Sequence, residues 1–112
     1  MANIQFQTIN WNQIEQTEHK GETGTSFWKL LQFDELRIRV VDLSAGYLAD
    51  HWCQKGHIVY CLEGGFESEL STGERLTLLK GMSYIVSDNL SSHRSYSKSG
   101  ARLLIIDGAF LK

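Results

Sequence analysis

The 112-residue chain is predicted to fold as one all-β domain, a sandwich or barrel of about eight or nine short strands. Short runs of β-branched, aromatic and leucine residues alternate with turn signals, and no long amphipathic helix is visible. Proline is absent, so the ten glycines, together with Asn, Asp and Ser, must form the turns. A chain of this length supports one hydrophobic core and no separate catalytic domain.

The chain divides into an N-terminal arm, residues 1–24, and a barrel domain, residues 25–112. The arm is rich in Asn and Gln but also carries Ile4, Phe6 and Trp11. It is too apolar for a disordered segment, so it is predicted to lie on the barrel wall or on a partner subunit. The strand candidates that follow are SFWKLLQF, LRIRVVDL, a hairpin around QKG, FESELS, RLTLL, MSYIV, the segment SSHRSYS and RLLIIDGAF.

Composition excludes several classes of function. The net charge is −2 and the eleven Lys and Arg residues are scattered, so nucleic-acid binding is not expected. No apolar run has the length of a membrane span, and the N-terminus has no charged and apolar signal regions. The sequence therefore predicts a cytoplasmic protein that does not bind membranes. In that reducing compartment the two cysteines should stay free, with Cys61 as a buried core thiol.

Four residues form a candidate metal-ligand set. His51, Cys53 and His57 lie within one short stretch, and His93 follows later in the chain. His51 and Cys53 are two apart, which places them on one face of a strand. If residues 54–56 form a hairpin loop with its glycine in the left-handed conformation, Cys53 and His57 lie directly opposite each other.

The next hairpin is predicted at Gly64 and Gly65, with Cys61 opposite Ser68. That register puts Ser68 and Leu70 inside the barrel and leaves the intervening glutamates facing water.

Three imidazoles and one thiolate are a donor set that tetrahedral zinc accepts readily. Iron, copper and nickel are alternatives, whereas hard ions such as magnesium are poor candidates. Cys53 has two other interpretations, as a small buried apolar residue or as a nucleophile activated by nearby imidazoles.

Two pairs of side chains have roles that the sequence leaves open. Arg37 and Arg39 share a strand face, where the ordinary role is a solvated charge and the alternative is contact with a substrate carboxylate or phosphate. Tyr47 and Tyr84 are candidates for the barrel mouth, but their faces are not fixed by the sequence.

The ligand stretch resembles the first motif of the cupins, which contains a Gly, a His-x-His pair, a Glu and a second Gly. Gly46, His51, Cys53, His57 and Gly64 stand at nearly those spacings, with Cys53 in place of the second His and His57 in place of the Glu. The second motif runs from a Gly to a final His, and its ends match Gly81 and His93. The string DHWC also resembles a narrower branch, the DHCW-motif cupins.

The resemblance implies a double-stranded β-helix, or jelly-roll barrel, that binds a small molecule and forms a homodimer. It leaves three functions open. The first is a metal-dependent enzyme acting on a small molecule. The second is a non-enzymatic binding or sensing module with a structural metal, and the third is a protein that uses the Cys53 thiol without metal. Four protein ligands would fill a tetrahedral zinc site, which argues against hydrolytic zinc chemistry.

Overall fold

A computed structural model describes residues 3–112 and shows nine β-strands with two short 3-10 helices at Trp11–Gln13 and Ala109–Leu111. All strand pairs are antiparallel. The strands are β1 (Gln16–Lys20), β2 (Thr25–Phe33), β3 (Leu36–Leu43), β4 (Tyr47–Leu48), β5 (His57–Leu70), β6 (Arg75–Leu79), β7 (Ser83–Val86), β8 (His93–Ser97) and β9 (Ala101–Asp107).

Strand β5 belongs to both sheets of the barrel. Its first half pairs with β7 and with β9. From β9 the sheet continues through β3 and β2 to β1 at the edge. Its second half pairs with β6 and with β8, and β8 pairs with β4. The antiparallel sheets curl and form the predicted all-β, jelly-roll architecture. The core between them consists of Val41, Leu43, Val59, Cys61, Phe66, Leu78, Ala101 and Leu103.

The hairpin predicted at Gly64 and Gly65 is wrong, because β5 runs through both glycines as one 14-residue strand. A β-bulge shifts the register between Cys61 and Glu63, so the inward face changes from odd to even positions. The predicted two-residue turn would also have moved the inward face from odd to even positions. The prediction that Ser68 points inward is therefore confirmed, although the predicted turn is wrong. Gly64 has φ of 71°, and a Cβ there would collide with the backbone carbonyl of Gly100.

The N-terminal arm contributes an edge strand to the barrel. β1 pairs with β2, and the His19 ring stacks on Trp28 with ring centroids 3.9 Å apart. Residues 3–10 have no regular structure, and Phe6 is 99% exposed.

Cys53 and Cys61 are both free, as predicted. Cys61 is fully buried within the core, which confirms its assignment as a core thiol. No helix within residues 3–112 has the length and apolar content that crossing a membrane requires.

Candidate metal centre

Three of the four predicted ligands converge at one end of the barrel. His57 and His93 are the first residues of β5 and β8, and Cys53 lies in the loop before β5. One donor atom from each lies within 4.8 Å of the others. The Cys53 Sγ atom is 3.4 Å from His57 Nε2. Both histidines are buried and Cys53 is half-buried, so the three donors face one another below the surface of the barrel.

Cys53 reaches this position through pairing with His93, not through the predicted hairpin with His57. The Cys53 amide donates to the His93 carbonyl at 2.7 Å, and the His93 amide donates back at 3.0 Å. The loop at Gly56 is also not left-handed as predicted. A side chain at Gly56 would collide with the backbone of Val86 and Asp88, so glycine is needed there for close approach between strands.

The orientation of His57 is fixed by a buried carboxylate. His57 Nδ1 donates to Asp107 Oδ2 at 3.1 Å, and both side chains are at least nine-tenths buried. Asp107 also accepts two hydrogen bonds from Arg37, each 3.0 Å long, and one of 3.3 Å from Arg39 Nη2. With its Nδ1 proton held by Asp107, His57 directs its Nε2 at Cys53.

Sequence reasoning missed Asp107. It lies on the inward face at the end of β9, directly opposite Arg37 on β3. A carboxylate at the end of an apolar strand, together with two arginines on an inward face, was the available signal. The interpretation of Arg39 as a solvated charge is wrong, because β3 turns this face inward with Val41 and leaves Arg39 only 5% exposed.

His93 has an unpartnered nitrogen. Its Nδ1 lies 3.0 Å from the Ser91 carbonyl, which can only accept, so Nδ1 carries the proton and Nε2 carries the lone pair. Nε2 is buried and has no hydrogen-bond partner within residues 3–112. A buried acceptor without a partner destabilises a fold by about 1–3 kcal/mol. A bound metal ion would satisfy it.

The site favours a thiolate at Cys53 and a charged carboxylate at Asp107. Burial raises the pKa of the Cys53 thiol, but the neighbouring imidazoles of His57 and His93 outweigh burial and bring that pKa to about 5. Burial lowers the pKa of His57, but its hydrogen bonds with Asp107 and Cys53 raise it above the ordinary value. Burial opposes ionisation of Asp107, yet His57 and Arg37 hold the pKa of this carboxyl well below its usual range.

His51 is not part of the convergent group. Its side chain is 74% exposed, and its Nδ1 lies 2.6 Å from the carboxylate of the adjacent Asp50. It lines the rim of the cavity next to the site. The inclusion of His51 in the ligand set therefore stays a prediction.

A cavity of about 300 Å³ opens beside Cys53, His57 and His93. Tyr47 and Tyr84 both line it, which fixes the faces that the sequence left open. Burial raises the pKa of both phenols, so they remain proton donors at neutral pH. The cavity size and mixed apolar and polar walls suit a small organic molecule.

The residues present fit a divalent transition metal. Two imidazole nitrogens and one thiolate sulfur converge, and one imidazole has the carboxylate partner that supports metal-bound histidines. The buried His93 Nε2 without a partner is the observation that favours an ion over a set of ordinary core side chains.

No protein-family model and no curated protein matches the sequence. Solved structures do match. An RmlC-like cupin from Shewanella frigidimarina has 19% identity and a TM-score of 0.72, covering 93% of this chain and 91% of its own. A predicted oxalate decarboxylase from Thermotoga maritima has 13% identity and a TM-score of 0.77, covering 89% and 96%. Ectoine synthase from P. lautus has 23% identity and a TM-score of 0.69, covering 90% and 76%.

The chain has the cupin fold. The predicted resemblance is confirmed at this level, and the jelly-roll barrel is shared across most of the chain with these structures. In this cupin fold the candidate ligands lie at the barrel end where β5 and β8 begin. The narrower resemblance to the DHCW-motif branch stays a prediction from residues Asp50–Cys53.

Proposed function

We propose that this cupin binds one divalent transition metal through Cys53, His57 and His93 and acts as a metal-dependent enzyme on a small molecule. Zinc is the favoured metal, with iron, copper and nickel as alternatives. The buried, unpartnered His93 Nε2, which belongs to the same convergent group as Cys53 Sγ and His57 Nε2, carries the proposal.

Three protein ligands favour catalysis over a purely structural site. Tetrahedral zinc with three protein ligands keeps one position for water or substrate. When bound, the ion would supply Lewis-acid polarisation of a substrate oxygen. The cavity beside the donors gives a small molecule access to that position.

The chain's own residues orient the site and the substrate. Asp107 holds the Nδ1 proton of His57 and keeps its Nε2 directed at the ligand group. Tyr84 lines the cavity, and its ring lies edge-on to His93 with centroids 5.9 Å apart. Since burial keeps the Tyr84 phenol protonated, it can donate a hydrogen bond to a bound oxygen.

The competing proposal is a binding or sensing module with a structural metal. A closed structural zinc site needs four protein ligands. His51 is the residue that would supply the fourth, because it lies at the cavity rim two residues before Cys53. Its exposed side chain would have to leave Asp50 and turn inward.

Metal analysis of protein purified without added metal tests the proposal. Wild-type protein should hold about one ion per chain, and Cys53→Ser should lose most of it because a hydroxyl is a poor substitute for a thiolate. Cys61→Ser is the matched control, since Cys61 is a core residue outside the ligand group. Metal-free wild-type protein with a rapidly reacting Cys53 thiol would favour thiol chemistry instead.

We also propose that the protein is a homodimer. A cytoplasmic location is a separate expectation, which rests on the sequence. An apolar outer face supports a dimer. Ile38, Val40, Ile58 and Ile106 lie on neighbouring strands and point away from the core, and Ile85 beside them is 69% exposed. Light scattering in solution should give the dimer mass, and a monomer at micromolar concentration would contradict this proposal.

A further inference from the structure

The cavity beside the candidate metal centre is lined by basic side chains and by no acidic ones. Among the described residues, its lining includes Arg37, Arg39, Lys55 and Arg94, and no Asp or Glu. The chain as a whole carries a net charge of −2, so this distribution does not follow from composition. The basic lining favours an anionic occupant.

Arg39 is the buried cation of this lining. The residue is 5% exposed, and its guanidinium carbon lies 4.5 Å from the centroid of the Trp28 ring. It donates one hydrogen bond, from Nη2 to Asp107, and its Nε has no partner in the described part of the chain. Contact with Trp28 helps to hold the guanidinium, and most of its donors make no hydrogen bond in the described part of the chain.

Asp107 does not neutralise both arginines. Arg37 contacts both oxygens of this carboxylate, at 3.0 Å each, whereas Arg39 makes only the longer contact of 3.3 Å. Two guanidinium groups therefore share one carboxylate, and most hydrogen-bond donors of Arg39 have no anionic partner among the described residues. Since a buried guanidinium is costly without hydrogen-bond partners, these unused donors of Arg39 favour binding of an anionic group.

We infer that the cavity takes a small organic acid, whose carboxylate is bound by Arg39 and whose carbon chain lies against the apolar wall. Val41, Val59 and Leu103 form that wall. A planar guanidinium matches the two oxygens of a carboxylate. The volume of about 300 Å³ suits a small carboxylate. This inference rests on the proposed small-molecule function of the same cavity.

Calorimetric titration of the full-length protein tests the inference. The probes are acetate, propionate, malonate and succinate, each compared with its amide and with inorganic phosphate. At least one acid should bind about 10–100-fold more tightly than its amide, because hydrogen bonds to charged groups contribute about 1.5–3 kcal/mol. Failure of every acid to bind, equal binding of acid and amide, or tighter binding of phosphate would overturn the carboxylate assignment.

Two arginine variants locate the contact. Arg39→Gln should weaken binding of the acid about 10-fold or more when the variant and the wild-type protein are compared at equal metal content. Arg102→Gln is the matched control, since Arg102 is an exposed arginine paired with Asp42 outside the cavity. Acid binding that is unchanged in a folded Arg39→Gln protein contradicts the assignment. If that variant does not fold, the comparison of acid with amide on wild-type protein decides alone.

Repeating the titration after metal removal separates this inference from the proposed metal function. Acid binding that persists in the metal-free protein and depends on Arg39 supports the inference, even if purified protein holds no metal. Acid binding that disappears with the metal and ignores Arg39→Gln would mean that the ion alone binds the acid, which overturns it.

Discussion

The protein contains two histidine–aspartate pairs of the same chemistry in opposite environments. His51 and Asp50 are neighbours in the chain, and their contact of 2.6 Å lies at the surface, with side chains 74% and 56% exposed. His57 and Asp107 come from different strands, and their contact of 3.1 Å is buried, with side chains 8% and 2% exposed.

The buried pair is the organised one, although its contact is longer. Asp107 is held in place by Arg37 and Arg39, so it fixes the tautomer and direction of His57. Asp50 has only its exposed neighbour as a side-chain partner in the described part of the chain, and water and salt screen such a pair. The comparison teaches that burial and a second layer of contacts, more than a short distance, hold a histidine–aspartate pair in one geometry.

Replacing the histidine of each pair should give the largest difference. His57→Ala should reduce metal affinity by more than about 100-fold, because total zinc-binding energies of about 10–16 kcal/mol are shared among three or four ligands. His51→Ala should change it by less than about twofold if three ligands form the site. Competition with a chromogenic chelator measures both affinities.

A loss in His51→Ala as large as that in His57→Ala would show that His51 turns inward and completes the ligand set. That result would restore the four-ligand prediction and favour a structural metal. Circular dichroism of both variants controls for unfolding, which matters more for His57 because it is buried.

Replacing the aspartate of each pair should give a smaller effect. Asp107→Asn should reduce metal affinity about 10–100-fold, as expected for a partner of a metal-bound histidine. It should also lower the free energy of unfolding by about 3 kcal/mol, because Arg37 and Arg39 lose their buried counter-ion. Asp50→Asn should alter neither property. Urea denaturation and chelator competition measure the two effects.

Equal behaviour of Asp107→Asn and Asp50→Asn would contradict the role given to the buried pair. Loss of stability without loss of metal affinity in Asp107→Asn would reduce Asp107 to a structural partner of the two arginines.

Much of the fold was accessible from sequence because strands and turns have local signals. The alternation in LRIRVVDL separated Arg37 and Arg39 from Ile38 and Val40 correctly. The bulge near Gly64 was not accessible, since a glycine pair signals a tight turn as well as a place of close backbone approach. Only the position of β9 against β5 distinguishes the two.

The site was accessible only in part, since its parts lie far apart in the chain. Cys53, His57 and His93 were found because ligand residue types cluster at motif-like spacings. Asp107 was missed because no local motif or spacing in the strand candidate RLLIIDGAF marks it as the partner of a distant histidine. Its role depends on β9 lying between β3 and β5, which brings Arg37 and His57 to the same carboxylate.

A crystal structure of protein purified under anaerobic conditions, with anomalous diffraction recorded at the absorption edges of zinc, iron, nickel and copper, tests the central claim most directly. We expect one ion bonded to Cys53 Sγ and to the Nε2 atoms of His57 and His93, with His57 Nδ1 still bonded to Asp107. An anomalous peak elsewhere, or a fully occupied ion that lacks Cys53 as a ligand, would contradict the proposed metal centre.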